Sequence, residues 1–272
     1  MKMKVLALLG GVLSLGAAGT AFAADLPVKA RPAPPPVAIY NWTGFYAGVN
    51  VGGDVVTSDV DGRVGPLFPS TPLAIANLNR QFSPRFQNTG VLGGVQAGYN
   101  WQAGAWLVGV EADIDARRAK GTITVDPLVF DIPTPGNFST QTFESNWLAT
   151  FRGRLGGIVG NSLLLYVTGG LAVSDYRTSD AVHFGGPNVT QTATISETRL
   201  GWAAGAGAEW MFAPNWSVKL EYIHADLGRT DSRIPPFPGF PTSDITFSHR
   251  LTDDLGRVGL NYHFGSPAVA KY

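Results

Sequence analysis

The residues Arg257-Val258-Gly259-Leu260-Asn261-Tyr262-His263-Phe264 alternate without a break. Val258, Leu260, Tyr262 and Phe264 make one apolar face; Arg257, Gly259, Asn261 and His263 make a polar or small one. A period of two belongs to a β-strand, not a helix. The apolar set ends in two aromatics, as a strand does where it leaves hydrocarbon through an interfacial girdle.

Seven earlier segments alternate in the same way, so eight strands are predicted, at about 43–56, 88–102, 105–119, 142–160, 163–179, 192–212, 216–231 and 247–264. Phe45, Val49, Val95, Trp101, Trp106, Val110, Phe151, Leu165, Trp202, Trp210, Leu220 and Tyr222 fall on one side of this sheet. Glu111, Asp113, Asp115, Arg152, Arg154, Glu209, Lys219 and Glu221 fall on the other. The connections alternate in length. Those at 102–105, 160–163 and 213–216 are tight, while those at about 57–87, 120–141, 180–191 and 232–246 are long and rich in Pro, Gly, Ser and Thr. Short turns opposite long loops are the pattern of an up-and-down transmembrane barrel. A soluble ligand-binding barrel would reverse the polarity, apolar inside and polar outside. Trp106, Trp202, Trp210, Trp216, Tyr222 and Tyr262, near strand ends, suit an interfacial belt; the bland alternative is the aromatic core of a soluble sandwich. The predicted fold is therefore all-β, an eight-stranded antiparallel up-and-down transmembrane β-barrel over residues 41–264.

The amino terminus reads as an export signal. Lys2 and Lys4 precede an apolar stretch, Val5 to Ala18, and Ala21-Phe22-Ala23 offers a small-x-small cleavage site. Residues 1–23 are assigned to a signal peptide and 24–40 to a periplasmic leader, whose Pro27, Pro32, Pro34, Pro35 and Pro36 favour an extended, solvated segment. Residues 265–272 form a short tail. After the signal peptide no stretch is apolar for the ~18 residues that a membrane helix needs. Charged residues make up 15% of the chain, low against a usual ~25%. An exported chain of this composition can still cross a bilayer as a closed barrel, because closure satisfies every backbone group. The predicted location is the outer membrane of a Gram-negative cell.

The chain has 20 basic and 20 acidic residues, so no net charge points to nucleic acid. It has no cysteine, which removes thiolate and disulfide chemistry. His183, His224, His249 and His263 show no metal-ligand spacing. Ser248 and His249 are neighbours on a strand and so point to opposite faces, which prevents them from forming a dyad. The Gly-rich run 201–207 lacks the lysine of a phosphate-binding loop. No catalytic, cofactor-binding or metal-binding residue is assigned, and no enzyme is expected.

Four acids, Glu111, Asp113, Glu209 and Glu221, and four bases, Arg152, Arg154, Lys219 and Arg257, are predicted to share the lumen. Charges in a narrow low-dielectric interior persist only when paired, and eight strands leave an interior just wide enough for its side chains. An internal salt-bridge plug is the preferred reading. A narrow channel whose lining charges set ion selectivity is the alternative; a wide diffusion pore would need about 16 strands.

The terminal run resembles the carboxy-terminal signal by which bacterial outer-membrane barrels are recognised for assembly, with Arg257, Gly259, Tyr262 and Phe264 at its fixed positions. Together with Ala24-Asp25-Leu26-Pro27-Val28-Lys29-Ala30, the opening Tyr40-Asn41-Trp42-Thr43-Gly44-Phe45-Tyr46-Ala47-Gly48 and the stretch Gly93 to Asn100, it resembles the small outer-membrane β-barrel proteins of alphaproteobacteria, related to the OmpA- and opacity-type barrels. That resemblance implies a porin-like surface antigen that contributes to cell-envelope integrity. It also implies two partners, outer-membrane lipid and the barrel assembly machinery. The apolar segments Pro66-Leu67-Phe68-Pro69 and Ile234 to Pro241, in loops expected outside the cell, mark a candidate adhesive surface. Packing over the barrel mouth is the alternative for them. The cell wall and surface ligands are further candidate partners.

Overall fold

A computed structural model describes residues 38–65, 70–126, 135–160, 162–239, 241–264 and 269–270. The expected signal peptide, most of the leader, Pro66 to Pro69 and Phe240 lie outside the described residues. Eight long strands follow one another: β2 Gly44–Val64, β3 Arg85–Ala103, β4 Trp106–Val125, β5 Phe138–Val159, β6 Leu163–Phe184, β7 Val189–Ala213, β8 Trp216–Ile234 and β9 Ile245–His263. Each pairs antiparallel with the next, and β2 pairs with β9 from Tyr46↔His263 to Val64↔Ile245, closing the ring. A two-residue strand near each end of the described chain, β1 Ala38–Ile39 and β10 Val269–Ala270, joins into a separate antiparallel ribbon. One helix, α1 Pro72–Gln81, lies between β2 and β3.

The strands run well past the predicted boundaries. Much of what the sequence presents as long loops is more sheet: β2 continues to Val64, β4 to Val125, and only residues 185–188 separate β6 from β7. The reason is a change of polarity within each strand. On β7 the outward residues are Thr190, Thr192, Thr194, Ser196 and Thr198, and then Leu200, Trp202, Ala204 and Ala206. On β9 the inward residues are Ile245, Phe247, His249 and Leu251, and then Asp253, Arg257 and Asn261. Alternation is kept along most of each strand, interrupted by register shifts at 116/119, 144/148, 211/213 and 226/229, but the apolar face moves from outside to inside. The barrel is therefore apolar outside around a band of polar interior in its near half, and polar outside around an apolar interior at its far end.

The far interior holds one large apolar core, which includes Val56, Val60, Leu78, Phe82, Phe86, Phe143, Leu148, Tyr176, Val182, Ile223, Leu227, Ile234, Phe237, Phe247 and Leu251. The helix α1 closes over this core. Thr71 caps its first turn by accepting a hydrogen bond from the Ala74 N–H at 3.3 Å, and Pro72 takes the first helical position, where its missing N–H costs nothing. Ala74 and Leu78 are buried on its inner face. Phe82, just past its end, meets Phe247 edge-on with ring centroids 5.4 Å apart. On the β8–β9 connection, Phe237 is 3% exposed and packs against Phe184. Ile234 and Phe237 thus pack over the mouth, as in the alternative given for this segment. A smaller apolar cluster, Trp42, Leu107, Leu164, Tyr166 and Met211, fills the opposite end beside the short turns.

Candidate functional site

Between the two apolar layers lies a band of buried charge. The four predicted acids and four predicted bases all project into it, with side chains that are 0% exposed. Alternation on β4, β5, β7, β8 and β9 delivers them to one level. Arg152 is the hub on β5: its guanidinium donates to Glu111 at 2.8 Å, to Asp113 at 2.8 Å and to Glu221 at 3.1 Å. Lys219 donates to both Glu111 carboxylate oxygens at 2.9 Å. Arg257 donates to Glu221 at 2.8 Å and to Asp113 at 3.0 Å. Arg154 lies nearer the short turns, where it donates to Glu209 at 2.6 Å.

Other residues complete this network. Asp115 accepts from Arg257 at 2.8 Å. The Tyr46 hydroxyl donates to Glu111 at 2.7 Å and accepts from Arg154 at 2.7 Å. The Tyr166 hydroxyl donates to Glu221 at 2.9 Å, and its ring lies 4.0 Å from the Arg154 guanidinium carbon. Ser217 and Asn261 donate to Glu209 at 2.6 and 2.7 Å. A second tier sits toward the far end, where Arg117 pairs with Asp253 and Asp54 and donates to Ser145 and Ser174 at 2.9 Å. The period that carries Glu111, Asp113 and Asp115 inward extends to Arg117, so this tier was within reach of sequence reasoning. Among the described residues, these two tiers hold seven carboxylates (Asp54, Glu111, Asp113, Asp115, Glu209, Glu221, Asp253) and five lysine or arginine side chains (Arg117, Arg152, Arg154, Lys219, Arg257), while Asp180 and Arg199 lie farther out in the lumen.

Large lumen side chains need space, and inward glycines on neighbouring strands supply it. A Cβ on Gly98 would collide with the Tyr46 ring and hydroxyl, and one on Gly207 with those of Tyr166. Gly259, a fixed position of the terminal motif, lies under Gln96 and Lys219. The motif's residues therefore divide between the faces: Arg257 and Gly259 belong to the lumen, whereas Tyr262 and Phe264 are exposed outside, with ring centroids 5.1 Å apart. Trp216 adds a third outward ring, 5.1 Å from Tyr262. His263, also inward, accepts or donates at Ser217 at 2.9 Å, and its ring meets Trp42 edge-on. His249 is bound to Asp180 at 2.9 Å inside the far core, away from the half-exposed Ser248. Among the described residues no group of three His, Asp or Glu side chains could hold a metal ion.

The outward face completes the picture. Phe45, Val95, Trp101, Trp106, Val108, Phe151, Leu165, Val167, Trp202, Trp210, Leu220 and Phe264 are each 50% exposed or nearly so, or more. A continuous apolar belt of this kind suits hydrocarbon. A model of the outer membrane protein beta-barrel domain matches residues 12–264. The 31 kDa outer-membrane immunogenic protein of Brucella melitensis is 34% identical over 252 residues, which cover 91% of this chain and 95% of that relative. The 22 kDa outer membrane protein of Rhizobium leguminosarum is 28% identical over 172 residues, covering 63% of this chain and 65% of that one. Among solved structures, Neisserial surface protein A aligns over 82% of this chain and 98% of its own at 12% identity, with a TM-score of 0.36, too loose an overlap to bear on function. On the closed eight-stranded ring, its apolar belt and these relatives, the chain belongs to the outer membrane protein beta-barrel domain family and is a surface protein of the bacterial outer membrane.

Proposed function

We propose that this protein is a sealed structural barrel that contributes to the integrity of the outer membrane and does not conduct. The reading is carried by one observation: the side chains of Arg152, Arg154, Lys219 and Arg257 are 0% exposed and bonded to carboxylates across the lumen. Apolar layers above and below that band add two further barriers. On this reading the cross-lumen bonds close the aqueous path, and opening one would break several charge-assisted bonds at once.

Planar-bilayer recording of the purified full-length chain tests this reading. Wild-type protein is expected to give no reproducible single-channel steps. Reproducible, ion-selective steps would overturn the structural role and favour a narrow channel. Arg152→Ala with Arg154→Ala leaves the lumen carboxylates in larger excess, so any leak in that variant is expected to select cations.

A further inference from the structure

Above the apolar belt on the wall formed by β4, β5 and β6, three exposed cations converge. Arg118 and Lys120 follow Ile114 and Ala116 on the outward face of β4, and Arg177 follows Leu171, Val173 and Asp175 on that of β6. The register sets Lys120 opposite Glu144 and Glu144 opposite Arg177, so the three cations lie on adjacent strands around one carboxylate. Arg118, Lys120, Glu144 and Asn146 line a shared open depression. Trp147, on β5 just below Asn146, marks the border with the belt.

The nearby negative charge is largely engaged. Lys120 binds Glu144 at 2.5 Å. The hydrogen bond and charge of Lys120, with a contribution from Arg177, hold the Glu144 carboxyl below the ordinary carboxylate range. Asp175 is turned into a β-bulge between β5 and β6, where it accepts from the Asn146 and Trp147 N–H groups at 2.7 and 2.9 Å. Among the described residues, neither Arg118 nor Arg177 has a carboxylate within salt-bridge distance. Three cations against Glu144 and the backbone-bound Asp175 leave these five residues with one net positive charge.

Farther out, the same wall changes again. Thr122 and Thr142 pair at 3.2 Å, Thr124 and Thr140 at 3.1 Å, and Ser179 and Thr194 at 3.1 Å, all on the exposed face. Thr190, Thr192, Ser196 and Thr198 continue the hydroxyl surface along β7. Moving outward, the wall therefore offers hydrocarbon contact, then cations, then a ladder of hydroxyls. We propose that this wall binds an anionic glycolipid of the outer leaflet, with acyl chains on the belt, phosphate groups on Arg118, Lys120 and Arg177, and saccharide against the threonine ladder. Continuity with the lipid-facing belt selects a lipid over a soluble anion. Guanidinium forks suit phosphate oxygens, and cations at a membrane surface add attraction to anionic headgroups. The inference rests on the outer-membrane location and on the far end facing outward, and it is independent of whether the lumen conducts.

The test uses the full chain folded in detergent, incubated with lipid A bearing both phosphates or with dephosphorylated lipid A, washed, and assayed for retained lipid by native mass spectrometry. Arg118→Ala with Lys120→Ala and Arg177→Ala should retain the phosphorylated lipid roughly tenfold less than wild type. Arg118→Lys with Arg177→Lys, which keeps the charge and loses the fork, should retain less lipid than wild type and more than the triple alanine variant. Arg229→Ala with Arg233→Ala, exposed charges on β8 at the opposite wall, should match wild type. A heat-mobility shift on gels verifies that each variant is folded, since all these side chains are exposed. Equal retention by the triple alanine variant, equal binding of the dephosphorylated lipid, or an equal loss in the β8 variant would each overturn the proposal.

Discussion

Arg257 on the closing strand reaches Asp113, three strands away around the ring, at 3.0 Å. The bond ties the last strand to the middle of the sheet through the lumen, independently of the backbone ladder. Arg257→Ala takes its arginine from Asp115 and one of two guanidinium partners from Asp113 and Glu221, and is expected to cost about 3–5 kcal/mol. Urea unfolding in lipid vesicles, followed by the mobility shift on unheated gels, measures it. Adding Asp113→Asn should cost less than the sum of the single losses, because the two residues share one network. Strict additivity would show that they act separately.

Phe82 tests the outer core in the same way. Its side chain is fully buried and joins α1 to Phe247. Phe82→Ala should destabilise the far end by about 3–5 kcal/mol and speed proteolysis between residues 70 and 84. The charged band below should stay closed, so bilayer conductance should not rise. A conducting Phe82→Ala protein would make α1 the true seal.

Gly98 is expected to tolerate no side chain. Gly98→Ala pushes on the Tyr46 ring and disturbs its bonds to Glu111 and Arg154. Overpacking of this kind costs about 1–3 kcal/mol. Gly157, where a Cβ meets nothing within 4 Å, is the matched control, and Gly157→Ala should unfold at the wild-type urea midpoint. Equal effects at both positions would remove the fitted-glycine account.

Tyr262 and Phe264 face lipid and touch no lumen charge, so their loss separates assembly from stability. Tyr262→Ala with Phe264→Ala should lower the amount of folded barrel in membranes several-fold, while refolding from urea into vesicles changes much less. Undiminished levels in cells would show that the terminal aromatics serve only as a girdle.

The barrel itself was legible because β-alternation survives any change of solvent, and each short turn has its own marker, as at Gly104, with φ of +63°. Strand ends were not legible. A reader tracking outward apolar residues loses the strand at Val55, where Thr57, Asp59 and Asp61 take over the outer face, although Val56, Val60 and Val64 continue the same period inward. The helix α1 was hidden for a different reason. Its ten residues are a short amphipathic turn inside a stretch rich in Pro, Ser and Asn, and tertiary burial of Ala74 and Leu78 supplies most of its stability. The eight lumen charges could be assigned a face from alternation, but their partners depend on ring closure: Arg152 and Glu221 are 69 residues apart and three strands removed.

The reversal of polarity halfway along each strand has a consequence for how the cell surface is displayed. Strands of 19 to 25 residues, tilted by about 40°, rise roughly 50 Å, twice the ~25 Å apolar height of such barrels. With the far end outward, the excess stands above the bilayer as pleated sheet around a packed apolar centre. Antibodies or phages meeting this protein from outside would encounter pleated sheet, with epitopes assembled from residues such as Thr124, Thr140 and Thr194 that are distant in the chain, and boiling would erase them.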